Sequence, residues 1–263
     1  MIQLVVTDLD GTLLNDNKEL PSNFWGIEKK LRELGIVFAV ASGRPYESMR
    51  RIFNNNLEHI LFIAENGGLI RYRGEELRSN ALPLVDVHEL IKLSRKLDNT
   101  HILLCGKDVM WFESQDETFL AESLKYYDHM HYVPDLLSVS EPIIKFTLCD
   151  MVSSETNSFP KLKYLQDKYT MAVSGLRWLD ITGIDVNKGK ALEFMQGFLG
   201  IPKENTLAFG DYFNDVEMLK QAGISFAMKN AHPEVRKMAQ SITRYTNNEF
   251  GVIKEIEHLL KFE

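Results

Sequence analysis

The chain opens on a short apolar run, Leu4-Val5-Val6, that breaks into Thr7-Asp8-Leu9-Asp10-Gly11-Thr12. A continuous apolar segment of this length, closed by a glycine turn, predicts a buried strand. A helical spacing follows at Phe24, Ile27, Leu31 and Leu34, with Ser22 placed to cap its start and Gly35 to close its end. Residues 36–40 form a second apolar run, the pattern of a parallel strand buried on both faces. Pro45 suits the first turn of a helix reaching about residue 53. Leu61-Phe62-Ile63 predicts a third strand, followed by the hairpin signal Asn66-Gly67-Gly68.

From about residue 82 to 185 the texture changes. Helical stretches at 87–97, 117–126 and 159–168 alternate with strand candidates at 101–105, 109–112, 143–148, 171–173 and 178–181. Strand pairs between helices predict an antiparallel sheet with helices on one face, an α+β module. Strand and helix then alternate again: helix 189–199 ending at Gly200, strand 206–209, helix 216–221, strand 224–227 and a last helix at 252–260. The expected fold is therefore α/β: a doubly wound, mostly parallel Rossmann-like core sheet from residues 1–82 and 186–263, interrupted by an α+β module at 83–185.

Composition narrows the function classes. The chain has 263 residues, 44% hydrophobic and 25% charged, enough to bury a sizeable core in one or two domains. A net charge of −7 argues against a nucleic-acid-binding surface, which normally carries a basic excess. Cys105 and Cys149 are far apart and in no metal-ligand spacing, and usage this sparse fits a reduced cytosolic protein. The start lacks the pattern of a secretory signal, and no apolar run approaches the roughly 20 residues that span a bilayer. The expectation is a cytoplasmic protein without membrane or nucleic-acid partners, monomeric or weakly dimeric.

Chemistry-bearing residues cluster at the strand ends. Asp8 and Asp10 stand at the carboxyl end of the first strand, where open α/β sheets place their ligand crevice. Like charges held close favour protonation of one unless a cation neutralises them. That points to a divalent metal, one carboxylate acting as nucleophile and the other carrying protons. A solvated loop is the competing reading, since Asp and Gly commonly punctuate strand ends. Ser42-Gly43-Arg44 offers a hydroxyl, an unhindered backbone and a guanidinium that suit a phosphate oxyanion, although alone it reads more readily as a strand-to-helix turn capped by Ser42. Lys188 sits at a helix start, whose electropositive end prefers anions, so it needs an anion nearby unless it simply points into water. The segment Gly210-Asp211-Tyr212-Phe213-Asn214-Asp215 adds two carboxylates and an amide, able to serve a hard cation or merely to cap a helix.

Other candidates carry less. Glu65-Asn66-Gly67 borders the crevice or forms a plain hairpin turn, and Asn230-Ala231 reads as a turn. His129 and His131 lack a third ligand nearby, and Trp111, Phe112, Tyr126 and Tyr127 read as core of the inserted module.

In this joint order the residues resemble the haloacid dehalogenase-like phosphatases, in particular their Cof-like branch. The four motifs of that family are matched by Asp8-Leu9-Asp10-Gly11-Thr12, by Ser42 within Ala41-Ser42-Gly43-Arg44, by Lys188, and by Gly210-Asp211 through Asn214-Asp215. The branch's subsidiary signals include Glu65-Asn66-Gly67, Asn187-Lys188-Gly189-Lys190, Asn230-Ala231 and Gly251-Val252. The resemblance implies a magnesium-dependent phosphatase with Asp8 as nucleophile and Asp10 as acid and base. It implies Mg2+ on Asp8, the Asp10 backbone carbonyl and Asp211, and a phosphoryl group held by Thr12, Ser42, Gly43, Lys188 and Asn214. Asp215, Arg44 and Asn66 would support these groups, and the insert would be a cap that chooses the substrate, a sugar phosphate or nucleotide-like phosphate. A phosphosugar mutase, or a signalling module phosphorylated on aspartate without turnover, are the alternatives.

Overall fold

The computed structural model describes residues 1–54, 58–127 and 130–261. The strands, in chain order, are β1 (Leu4–Thr7), β2 (Val37–Ala41), β3 (Ile60–Ala64), β4 (Leu69–Tyr72), β5 (Glu75–Ser79), β6 (Thr100–Cys105), β7 (Met110–Phe112), β8 (Met130–Tyr132), β9 (Lys145–Asp150), β10 (Tyr169–Val173), β11 (Trp178–Gly183), β12 (Thr206–Gly210), β13 (Ile224–Ala227) and β14 (Ser241–Ile242). Among the described residues they form two sheets, ordered β14-β13-β12-β1-β2-β3-β4-β5 and β10-β11-β9-β6-β7-β8.

The first sheet is parallel from β14 to β3. From β1 the chain winds outward through β2 to β3, then after β12 it winds the other way. The order reverses between β1 and β12, the point where doubly wound sheets open a crevice beyond their carboxyl ends. The alternation of side chains along β1 explains why its apolar run is unbroken. Val5 packs with Phe38, Val40, Phe62 and Phe209 on one face, while Leu4 and Val6 pack with Ala39, Leu61, Leu192 and Met218 on the other.

Three details depart from the pattern read along the sequence. Leu34 is 61% exposed and lies past the end of the helix Phe24–Glu33, whose buried stripe is Phe24, Ile27 and Leu31. Asn23, not Ser22, occupies the position before that helix, and its side chain makes no cap bond. Strands β4 and β5 extend the sheet antiparallel after the Glu65–Gly67 turn; β4 buries only Leu69 and Ile70 fully, and β5 is polar because an edge strand buries little.

The second sheet is antiparallel except where β7 meets β8, and β8 itself has no apolar run to announce it. The helix expected at 159–168 is a short α-helix, Phe159–Leu162, continued by the 3-10 turn Lys163–Asp167. The helix expected from 87 starts at Leu84, directly after Pro83, which cannot supply an interior helix N–H. Cys105 and Cys149 are free and buried, and burial pushes both thiols up. His131 is exposed, and His129 lies outside the described residues. No helix among the described residues is long and apolar enough to cross a membrane.

Candidate active site

Asp8 prolongs the β1 ladder by one residue, its N–H donating to the Phe209 carbonyl at 3.0 Å. The chain then curls: Leu13 and Leu14 donate back to the carbonyls of Asp8 and Leu9, through Gly11 at φ +77°. Only glycine fits there, because the conformation is left-handed and a Cβ would strike the Asp211 carboxylate. The curl brings the loop after β1 against the loop after β12, so residues 199 apart in sequence touch: Thr12 Oγ1 donates to Asp211 Oδ1 at 3.1 Å.

Lys188 begins the helix Lys188–Leu199, capped by Asn187, whose side chain accepts from the Lys190 N–H. It is wholly buried, and its Nζ lies 2.6 Å from Asp8 Oδ1 and 2.6 Å from Asp215 Oδ1. A cation at the electropositive helix end is thus answered by two carboxylates. Asp215 is used completely: its other oxygen accepts from the N–H groups of Asp211 and Tyr212.

Asp8, Asp211 and Asp215 each offer an oxygen within 4.8 Å of one another. Burial pushes Asp8 up to about 7 even though Lys188 opposes it. Burial, then the charges of Asp8 and Asp215, push Asp211 well above the usual carboxylate range. With Asp215 spent, the buried Asp8 and the half-buried Asp211 are two neighbouring carboxylates short of positive charge. That donor set fits a hard divalent cation taking oxygen ligands.

Asp10 behaves oppositely. Burial would raise it, but Arg44 clamps both its oxygens (Nε to Oδ2 at 2.6 Å, Nη2 to Oδ1 at 2.8 Å) and Lys18 Nζ adds a contact at 2.7 Å, holding it at about 2. Arg44, expected among the supporting residues, grips the Asp10 carboxylate. Thr12, expected on the phosphoryl group, spends its hydroxyl on Asp211. Ser42 is buried, its Oγ accepting from the Arg44 N–H at 3.1 Å, and Asn214 Nδ2 donates to Asn66 Oδ1 at 2.9 Å. Asn230 is more than a turn residue, since its amide holds the Gly11 carbonyl at 2.7 Å.

A cavity of about 310 Å³ opens over these groups. Asp8, Asp10, Ser42, Gly43, Arg44, Asp211 and Asn214 line it from the first sheet, while Lys188, Asp215, Thr12 and Asn66 sit behind the lining. The opposite wall comes from the inserted module: Tyr126, Tyr127, Trp178, Arg177, Glu122 and Asp180. Tyr127 is buried as well, packing on Trp178 at 5.7 Å between centroids. Tyr126 is only half-buried and lies under Lys18 and Arg44, at 5.3 and 5.4 Å from its ring centre. Tyr127 is core of the inserted module, as the sequence suggests, and Tyr126 packs against that core while also facing the cavity; Lys18 stands in a polar turn without any pattern to mark it.

A sheet reversing at β1 and β12, with four carboxylates and a buried lysine at its carboxyl edge, has the layout of an α/β enzyme with its site beyond the strand ends. The model of the haloacid dehalogenase-like hydrolases matches residues 5–256, and the chain belongs to that family. A relative from Escherichia coli (strain K12), the 5-amino-6-(5-phospho-D-ribitylamino)uracil phosphatase YbjI, is 31% identical over 274 residues, covering 100% of this chain and 97% of that protein. The HMP-PP phosphatase of Escherichia fergusonii is 28% identical, covering 90% of this chain and 87% of its own. Among solved structures, that of SMU.1108c from Streptococcus mutans UA159 superposes with a TM-score of 0.93 at 29% identity, covering 99% of this chain and 100% of the other.

Proposed function

We propose that this protein is a magnesium-dependent phosphatase that hydrolyses a small phosphorylated metabolite through an aspartyl-phosphate on Asp8. The observation that carries this reading is the convergence on Asp8 of Lys188 at 2.6 Å and of Asp211 within 4.8 Å, on the floor of an open cavity.

Asp8 attacks the phosphorus, the ester oxygen leaves, and Asp10 supplies the proton that makes it an alcohol. Water then attacks the phosphorus of the acyl phosphate and gives a proton to Asp10, which frees inorganic phosphate and restores the Asp8 carboxylate. Lys188, the Ser42 hydroxyl, the Gly43 backbone and the Asn214 amide hold the oxygens of the transferring group, where preorganised donors act most strongly. While Arg44 and Lys18 both hold Asp10 it is a base; it becomes a donor when an anionic substrate draws one of these cations away. Asp8, Asp211 and the Asp10 backbone carbonyl would hold magnesium, which neutralises the anionic nucleophile and phosphate so that they can approach.

Residues 83–185 act as a cap on a core of residues 1–82 and 186–263, closing the cavity against water and contacting the leaving alcohol. The wall of Tyr126 and Trp178 supports an alcohol bearing a planar ring, in line with the uracil in the name of the Escherichia coli relative.

The test is a panel of phosphate monoesters, sugar and nucleotide-like, assayed for phosphate release with and without magnesium on the wild type and Asp8→Asn. Metal-dependent release abolished by the substitution is expected. Release that persists in folded Asp8→Asn removes the assigned nucleophile.

A further inference from the structure

Building on the phosphatase reading, we infer that Lys145, from the inserted module, is a positioning residue for the phosphate-binding turn Ser42-Gly43-Arg44. Lys145 opens β9, is wholly buried and is absent from the cavity lining. Its Nζ lies 2.8 Å from Glu65 Oε2 and 3.5 Å from Asp180 Oδ1, and it donates to the Gly43 carbonyl.

The three successive carbonyls of the turn are all taken from outside. Ser42 accepts from the Asn66 N–H at 2.9 Å and Arg44 from the Glu65 N–H at 3.1 Å, while Gly43, between them, accepts from Lys145. The donors of the outer two belong to a strained strut: Glu65 and Asn66 have φ of +51° and +54°, left-handed values that persist only where neighbours over-determine them. The middle one depends on the insert alone. Fixing the Gly43 carbonyl fixes the plane of the Gly43–Arg44 peptide, whose N–H donates to Ser42 Oγ at 3.1 Å. That bond occupies an acceptor site of the hydroxyl and leaves its proton for a phosphoryl oxygen. The insert therefore reaches the phosphate subsite through one peptide bond, not only through the leaving group.

The surrounding charges hold Lys145 in place. Asp180, on the neighbouring β11, accepts from Thr147 at 2.7 Å, Ser174 at 2.7 Å and Asn66 at 2.5 Å, so the strut and the insert share one carboxylate. Asn66 in turn accepts from Asn214. A lysine facing two buried carboxylates cannot leave without stranding them.

The experiment compares wild type, Lys145→Met and the double variant Lys145→Met/Glu65→Gln. Three quantities are read: inhibition by inorganic phosphate with magnesium present, kcat and KM on methyl phosphate and p-nitrophenyl phosphate, and hydrogen exchange over residues 42–46. In Lys145→Met the phosphate Ki should rise about tenfold, the loss of roughly one charged hydrogen bond. kcat/KM should fall by a similar factor for both esters, and exchange over 42–46 should quicken. The double variant should regain part of the lost thermal stability, because only Asp180, still bonded by Thr147, Ser174 and Asn66, is left beside the missing lysine, but not phosphate affinity, because Gly43 still lacks its donor. An unchanged phosphate Ki, a loss confined to the aromatic ester, or phosphate affinity that returns with stability would each overturn the assignment. If the wild type cleaves neither these esters nor the wider panel, the phosphatase reading fails by itself. The exchange data still judge Lys145, and unaltered exchange over 42–46 refutes its positioning role.

Discussion

Replacing Lys188 by methionine keeps the length of the side chain and deletes its charge. Two carboxylates, Asp8 and Asp215, each 2.6 Å from its Nζ, are then left buried and unpaired. Removing one partner of a buried pair costs about 3–5 kcal/mol. At roughly 2–4 °C per kcal/mol for a chain near this size, the midpoint of thermal unfolding should fall by ~6–20 °C. The sign of the pH dependence is specific. Lys188 is raised above its ordinary value, so its contribution is fully present below that value and is lost only as pH rises through the folded one, far above neutrality. Between pH 6 and 9 the lysine itself adds no slope. On the acid side the gap should narrow, because without Lys188 Asp8 is pushed further up and takes up a proton, which discharges one of the two stranded carboxylates. Saturating magnesium should restore part of the loss, ~2.7 kcal/mol at a hundred times its dissociation constant. Calorimetry across pH with and without magnesium reads all of this, and steady-state assays should show kcat/KM down by about 10²–10³-fold. A variant whose unfolding midpoint stays within ~2 °C and whose kcat/KM stays within about threefold would refute the reasoning.

Asp10→Asn should remove a contribution of about 1–2 kcal/mol, discounted because a quarter of that side chain is exposed; wild-type Asp10 is held near 2, so its stabilisation is present above the unfolded value of 3.8 and lost as pH falls through about 2, and urea unfolding curves of the two proteins should converge there. Gly67→Ala meets both a φ of +99° and the Asn187 carbonyl oxygen at 2.5 Å, so chemical denaturation should register a loss of at least ~2 kcal/mol. Chelation of magnesium should lower the unfolding midpoint of the wild type but not of Asp211→Asn, as differential scanning fluorimetry would report. Tyr126→Ala should raise KM about tenfold for a ring-bearing ester while leaving methyl phosphate within about twofold, and an equal effect on both would remove the ring from the wall's role.

The core strands were legible because burial on both faces of a parallel sheet demands unbroken apolar runs, as in Leu4-Val5-Val6 and Leu61-Phe62-Ile63. Strand β4 escaped because its apolar run is only Leu69-Ile70, and the edge strand β5 because it buries too little to need one; Leu34 misled because its helical spacing continues one step past the last turn. At the site, Asp8, Lys188 and Asp211 could be named because each follows a strand or opens a helix on the same sheet edge. Lys18 and Lys145 could not, since a lysine in a polar turn or at a strand start looks like any surface charge until its partners are known.

Local chemistry along the chain thus determined most of the elements, their doubly wound alternation and the set of reactive groups after the strands, because periodicity and turn residues act over a few positions. Only the tertiary structure decided which cation answers which carboxylate: that Arg44 and Lys18 hold Asp10 ionised, that Lys188 bridges Asp8 to Asp215, and that the insert reaches Gly43 through Lys145. Those pairings join residues up to 180 positions apart, and their strength comes from burial that no single segment possesses by itself.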